Sequence, residues 1–272
     1  MTLTTDGVSL GYGDEAVLDD VSIGVDSGEV LTVVGPSGTG KTTLLRLLSM
    51  FRRPNAGTVA WHGTDVWRLS DEERLAVRRQ ISMVFQEPSL FNAPVARNVL
   101  YGQRVRQSWR ERVRRRVRNA VGDRSMTEAA HTALETVGLL DKRDRNALSL
   151  SGGEAQRVAF ARALAVDPEI MLLDEPSSNL DPRNTAVLEE AILRAKARGV
   201  GVVVATHDMN QAERISDRIA FVYDGSVVES GPPERIFDDP RDQRTKRFVA
   251  GDLLYEVDGE NALPTSASES PP

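Results

Sequence analysis

Short apolar runs alternate with stretches of helical composition along most of the chain. Val30 to Val34 is a β-branched run that ends at a glycine, so it reads as a buried strand. Thr42 to Met50 then reads as a helix, and Ile81 to Phe85 is a second apolar run. Arg104 to Val137 is helical in composition, with a break near Gly122. Ala155 to Val166, rich in alanine and arginine, predicts a helix ending before Pro168. Ile170 to Leu173, Val200 to Thr206 and Ile219 to Tyr223 predict strands, separated by helices over Thr185 to Arg198 and Gln211 to Ser216. Strand and helix thus alternate at both ends, which predicts an α/β fold with a mostly parallel sheet flanked by helices. The middle, roughly 87 to 155, reads as an all-helical insertion.

Composition narrows the class. The chain has 272 residues, 40% of them hydrophobic and 27% charged, which is ordinary globular composition. The net charge of −6 argues against a globally basic nucleic-acid binder. The absence of cysteine excludes disulfides, cysteine nucleophiles and thiolate metal sites, and three histidines leave little for a histidine-built metal site. No apolar run approaches the ~20 residues that span a bilayer. Met1 to Tyr12 lacks the basic start and apolar core of an export signal. The expectation is a cytoplasmic protein whose membrane role comes through a partner.

The charge is unevenly placed. Only Lys41, Lys142, Lys196 and Lys246 are lysines. Nine arginines fall between Arg104 and Arg124 against two acids, a local +7 in a chain of net −6. This segment reads as a solvated helix face or as a contact for anionic headgroups or acidic partner loops. The tail after Leu263 is Pro/Ser-rich and polar, and is expected to be disordered.

Residues 35–42, GPSGTGKT, fit the phosphate-loop pattern G-x-x-x-x-G-K-[ST]. Glycines at 35, 38 and 40 let backbone N–H groups converge on phosphate oxygens. Lys41 can reach the β- and γ-phosphates, Thr42 can offer its hydroxyl to Mg²⁺, and the following helix adds its positive end. Asp174 and Glu175 end a buried strand: the first can hold the Mg²⁺ shell, the second can orient the attacking water. Alone, two acids after a strand are usually a solvated loop, but the phosphate loop reverses that reading. Leu150 to Glu154, LSGGE, precedes a helix. It is either an anion site made of a serine hydroxyl and glycine amides, or a plain helix cap with Ser151 as N-cap.

In combination and in order, the phosphate loop, Gln86, Leu150 to Glu154, Asp174-Glu175, Ser178 to Asp181 and His207 resemble the nucleotide-binding subunit of ABC transporters. The resemblance covers roughly residues 3 to 237. It implies a P-loop NTPase of RecA-like α/β fold, with an N-terminal antiparallel β subdomain and an inserted helical subdomain. It implies an ATPase domain over 1–237, with core and β subdomain in 1–86 and 156–237, the helical subdomain in 87–155, and an extension over 238–272 disordered from about 260. It implies that ATP and Mg²⁺ are bound. Tyr12 looks like the aromatic that stacks on adenine, and Gly35, Pro36, Ser37, Gly38, Thr39, Gly40, Lys41, Thr42 and Thr43 look like the phosphate cradle. Gln86 looks like the glutamine that contacts Mg²⁺ beside Thr42 and Asp174. Glu175 looks like the general base, and His207 resembles the histidine that hydrogen-bonds the γ-phosphate. Ser151, Gly152 and Gly153 would meet the ATP held by a second copy, and Asp181 marks the loop that crosses between copies.

The stretch Val84 to Val99, VFQEPSLFNAPVARNV, is similar to the corresponding region of oxyanion importers, most nearly the tungstate type and next the phosphate type. The partners implied are a second copy, a membrane permease and indirectly a solute-binding protein, at the cytoplasmic face of the membrane, with no nucleic acid. The additional β-domain of molybdate- and sugar-type subunits is not expected. A non-import ABC ATPase (an export, lipoprotein-release, cell-division or nucleic-acid-linked type) stays open. Against the last, there are no sustained heptads and only one cassette.

Overall fold

The computed structural model describes residues 1–13, 15–106 and 126–251. The strands are β1 (Leu3–Tyr12), β2 (Glu15–Val21), β3 (Gly24–Val25), β4 (Val30–Val34), β5 (Ala56–Trp61), β6 (Thr64–Asp65), β7 (Ile81–Val84), β8 (Ile170–Asp174), β9 (Gly201–Thr206), β10 (Arg218–Tyr223) and β11 (Ser226–Gly231). The α-helices among the described residues are α1 (Lys41–Leu48), α2 (Asp71–Gln80), α3 (Val95–Val99), α4 (Tyr101–Arg106), α5 (Glu128–Thr136), α6 (Gly152–Leu164), α7 (Pro182–Ala197), α8 (Met209–Ile215), α9 (Pro233–Phe237) and α10 (Gln243–Val249).

Six strands form the main sheet in the order β11-β10-β4-β9-β8-β7. Every neighbouring pair is parallel except the β10–β11 hairpin at one edge. β4, β8 and β9 are buried at every position, the pattern of strands covered on both faces. The two-residue period decides which face each side chain joins. Ile170 and Leu172 pack into one apolar cluster with Leu31, Val33 and α1. Met171 and Leu173 pack into the other, with Val202, Val204, α6 and α7. A second, antiparallel sheet follows β2-β1-β5-β6, with β3 paired to β1. Helix α1 packs on β8 and β9 and also on β1 and β2, so it joins the two sheets. Its Leu44, Leu45, Leu47 and Leu48 are fully buried.

Helices α3 to α6 continue the second cluster, because α6 lies against α3, α5 and β7 at once. Buried Asn98 organises the approach to them. Its amide accepts the Phe91 N–H at 2.8 Å and donates to the Phe91 and Ala93 carbonyls at 3.2 Å. At the far end, the buried Glu229 carboxylate accepts the Arg241 and Asp242 N–H groups, tying α10 to β11.

The predicted strands from Val30 onward are present, but three helices begin earlier than periodicity suggests. Helix α6 starts at Gly152 because Ser151 and Glu154 form a capping box. Helix α7 starts at Pro182, which is tolerated at the first position, behind an Asp181 cap. Helix α8 starts at Met209 behind Asp208. Of the long helical stretch 104–137, only the ends are described, and most of the arginine-rich segment lies outside the described residues, as does the tail from 252.

Because α1 serves both sheets, Leu45→Ala is expected to cost about 2–5 kcal/mol. Urea denaturation measures this, and a loss under about 1 kcal/mol would show that α1 does not anchor the two sheets.

Candidate functional site

The loop between β4 and α1 turns where a side chain has no room. A Cβ on Gly35 would stand 2.1 Å from the Val222 carbonyl oxygen of β10. Gly40 has φ +94°, and a Cβ there would stand 2.7 Å from the Val17 carbonyl oxygen of β2. Between them, the Thr39 hydroxyl donates to the Pro36 carbonyl at 3.0 Å. Lys41 opens α1 and is largely buried. Its ammonium folds back over the loop and donates to the Gly35 and Pro36 carbonyls, both at 2.7 Å. Burial lowers the Lys41 pKa, opposed by the nearby Glu175 and Asp174 carboxylates.

Asp174 ends β8 with 6% of its surface exposed. Its Oδ1 accepts the Thr42 hydroxyl at 2.9 Å, which joins the end of β8 to the start of α1. Burial pushes the Asp174 carboxyl up, Glu175 adds to that, and the Thr42 hydrogen bond opposes it. Glu175 sits in the left-handed region at φ +46°, a strained conformation for a non-glycine residue. Its N–H is held by the Ala205 carbonyl at 2.8 Å, and that anchor turns the carboxylate toward the next strand. There His207 Nδ1 lies 2.9 Å from the Glu175 carboxylate.

Ser37, Gly38, Gly40, Lys41, Thr42, Thr43, Gln86, Asp174, Glu175 and His207 line one cavity of about 360 Å³. Among the described residues, no cluster of three His, Cys, Asp or Glu could hold a metal unaided. The Thr42 hydroxyl, the Asp174 carboxylate and the Gln86 amide are hard oxygen donors. They fit Mg²⁺, which keeps waters and leans on substrate phosphates rather than an all-protein cage.

The other predicted residues stand elsewhere. Ser151 lines a separate cavity of about 450 Å³ with Lys142, Glu154, Arg157 and Asn184. Its hydroxyl accepts the Glu154 N–H at 3.3 Å, so the cap reading of this serine is realised in the single chain. Gly152 and Gly153 open α6 beside it. Asp181 is exposed and caps α7 through the Asn184 N–H at 2.9 Å. Tyr12 ends β1, exposed, with the Arg52 guanidinium 5.2 Å from its ring centre. It is not among the residues lining the 360 Å³ cavity.

Sequence reasoning missed several supports. Lys142 ion-pairs with Glu154, which holds that carboxyl below its usual range. Gly153 is demanded by Asn184, whose side chain would lie 2.5 Å from a Cβ. The S-x-x-E spacing of Ser151 and Glu154 was a legible capping-box signal. The Asn184 and Lys142 contacts leave no local mark in the sequence.

A carboxyl whose folded pKa exceeds its unfolded value binds protons more readily when folded. Its ionisation therefore costs stability, increasingly as pH rises from the unfolded value through the folded one. Asp174→Asn removes that cost. The ligand-free variant is expected to show a higher urea midpoint than the parent at neutral pH, with the gap closing at about pH 4. A lower midpoint at neutral pH would show that the Thr42 bond outweighs burial.

The sequence profile of the ABC transporter family matches residues 18–178. The chain is 57% identical to the phosphate import ATP-binding protein PstB 2 of Natronomonas pharaonis, over 93% of this chain and 88% of that one. It is also 57% identical to a probable anion import ATP-binding protein of Haloferax volcanii, over 90% and 85% of the two. The dimeric structure of MJ0796, a bacterial ABC transporter cassette, superposes with a TM-score of 0.70 at 29% identity, covering 85% of this chain and 98% of that one. The profile spans more than half of the chain and both relatives align along most of their length, so the chain belongs to the ABC transporter family.

Proposed function

We propose that the chain is the ATP-hydrolysing subunit of an importer for an inorganic anion, with phosphate or a related oxyanion such as tungstate as cargo. The observation that supports this most is the convergence of Lys41, Thr42, Gln86, Asp174, Glu175 and His207 on one cavity from the ends of four strands. The importer direction and the anion rest on the two relatives at 57% identity.

Lys41 leaves the Gly35 and Pro36 carbonyls and turns its ammonium to the β- and γ-phosphates. The N–H groups of Gly35 and of Ser37 to Gly40, with the N-terminus of α1 through Thr43, hold the phosphate oxygens. Thr42, Asp174 and Gln86 would hold Mg²⁺, which when bound supplies charge neutralisation at the phosphates. Glu175 orients the attacking water and takes its proton, and its strained backbone fixes the direction of the carboxylate. His207 hydrogen-bonds the γ-phosphate from the other side of Glu175. Tyr12 stacks on the adenine base.

The cavity holds no donor from Ser151, Gly152 or Gly153. These residues complete the site of a second copy, packed head-to-tail so that each ATP lies between Lys41 of one copy and Ser151 of the other, with Asp181 at the crossing loop. One of the similar structures is a dimeric cassette, which supports the pairing of two copies. Loss of the γ-phosphate removes contacts to both copies and opens the dimer. The ATPase domain extends over 1–237, with its helical part in 87–155. Among the described residues no helix is long and apolar enough to cross a membrane. Coupling to transport passes through a separate permease at the cytoplasmic face of the membrane, fed by a solute-binding protein. No nucleic acid takes part.

Glu175→Gln is expected to bind ATP, dimerise in light scattering and lose at least about 100-fold in kcat. Turnover near the parent rate would remove Glu175 from the base role. Lys41→Ala is expected to weaken ATP binding at least about tenfold in calorimetry. Unchanged affinity would remove Lys41 from the phosphate site.

A further inference from the structure

Beneath the loops that carry Glu175 and His207 runs a polar chain of four side chains. The Ser177 hydroxyl donates to Gln211 Oε1 at 2.9 Å, and Gln211 Nε2 donates to Glu189 Oε1 at 3.4 Å. Arg214 closes the chain with two hydrogen bonds to the Glu189 carboxylate, at 3.0 and 2.7 Å. Gln211 is fully buried and Glu189 nearly so. A buried amide is costly unless both its ends are bonded. Here each end is bonded to a different element.

Those elements are the ones that carry the site. Ser177 lies two residues after Glu175, in a tight turn closed by the Ser178 hydroxyl on the Glu175 carbonyl at 3.0 Å. Gln211 lies four residues after His207, and its own N–H is accepted by the Asp208 cap at 3.0 Å. Glu189 belongs to α7, whose first cap is Asp181. Between the two loops' site residues, His207 Nδ1 approaches the Glu175 carboxylate at 2.9 Å. His207 has 61% of its side chain exposed, so that contact is weakly held by packing. The half-buried bond from Ser177 to the fully buried Gln211 is the firmer tie between the loops.

We propose that Gln211 is a positioning residue for the hydrolytic step, holding the Glu175 turn and the His207 loop in one register and both against α7. This rests on the ATPase reading above. Gln211 is fully buried and does not line the phosphate cavity, so it acts on the chemical step and leaves nucleotide binding alone. A displacement of Glu175 by about 1 Å is enough to cost on the order of 100-fold in rate.

Steady-state ATP hydrolysis and calorimetric ATP binding are measured on the full chain and four variants. Gln211→Leu is expected to lower kcat about 10- to 100-fold while KM and ATP affinity stay within about twofold. Ser177→Ala, which removes one hydroxyl near the surface, is expected to lower kcat about 3- to 10-fold and keeps the test alive should Gln211→Leu fail to fold. Gln211→Glu sets two carboxylates together and is expected to be impaired. The exchange Gln211→Glu with Glu189→Gln keeps an acceptor for Ser177 and leaves a single carboxylate in the chain, and is expected to recover at least about fivefold over Gln211→Glu alone. Parent-like kcat in Ser177→Ala and in folded Gln211→Leu would overturn the proposal. So would a loss that falls equally on binding and turnover, or an exchange that recovers nothing. Absence of ATP hydrolysis in the unaltered chain would instead overturn the ATPase reading.

Discussion

Parallel strand direction is the constraint on which the site depends. β4, β7, β8 and β9 run the same way, so their carboxyl ends emerge along one edge of the sheet. The residues just beyond those ends are the phosphate loop, Gln86, Asp174-Glu175 and His207. Crevices at this edge are where open α/β sheets bind ligands. Registration then does the fine placement. Val34 pairs with Thr206 and Val84 with Leu173, so the four ends are level to within a residue or two. A one-residue slip in any of these strands would move its site residue and exchange its side chains between the two apolar clusters. The close packing of β4, β8 and β9 on both faces opposes that exchange.

The site so formed carries unfavourable terms that stability alone would remove. A buried lysine, a buried aspartate pushed up in pKa and a glutamate in the left-handed region gather around one cavity. Each has a local compensation: two carbonyls under Lys41, the Thr42 hydroxyl on Asp174, and the Ala205 carbonyl on the Glu175 N–H. Polyphosphate would meet the Lys41 ammonium and the open loop amides together. On the opposite side of the reaction, Ser151 and Asp181 serve as helix caps in the single chain. Their second use belongs to the proposed dimer.

The chain order of motifs was legible because each depends on local chemistry. Glycine at 35 and 40, the lysine at 41 and paired acids after an apolar run are readable one segment at a time. The mostly parallel sheet was legible from the alternation of strands and helices. The antiparallel sheet was reached only by resemblance, since β1 and β2 are buried at irregular intervals and mark no clean period. Helix starts were missed by up to three residues where a cap, not an apolar face, sets the boundary, as at Asp181 and Ser151. The bonds of Ser177 to Gln211 and of Gly153 to Asn184 join distant or unmarked positions, so no periodicity reports them.

In the proposed dimer, each chain holds half of each hydrolytic site. That sharing is tested most directly by solving the structure of the Glu175→Gln variant with ATP and Mg²⁺ bound. Two copies head-to-tail are expected, with each γ-phosphate within hydrogen-bond reach of Lys41 from one copy and Ser151 from the other. A nucleotide bound by Lys41 with its γ-phosphate open to solvent, and no Ser151 within reach, would contradict that sharing.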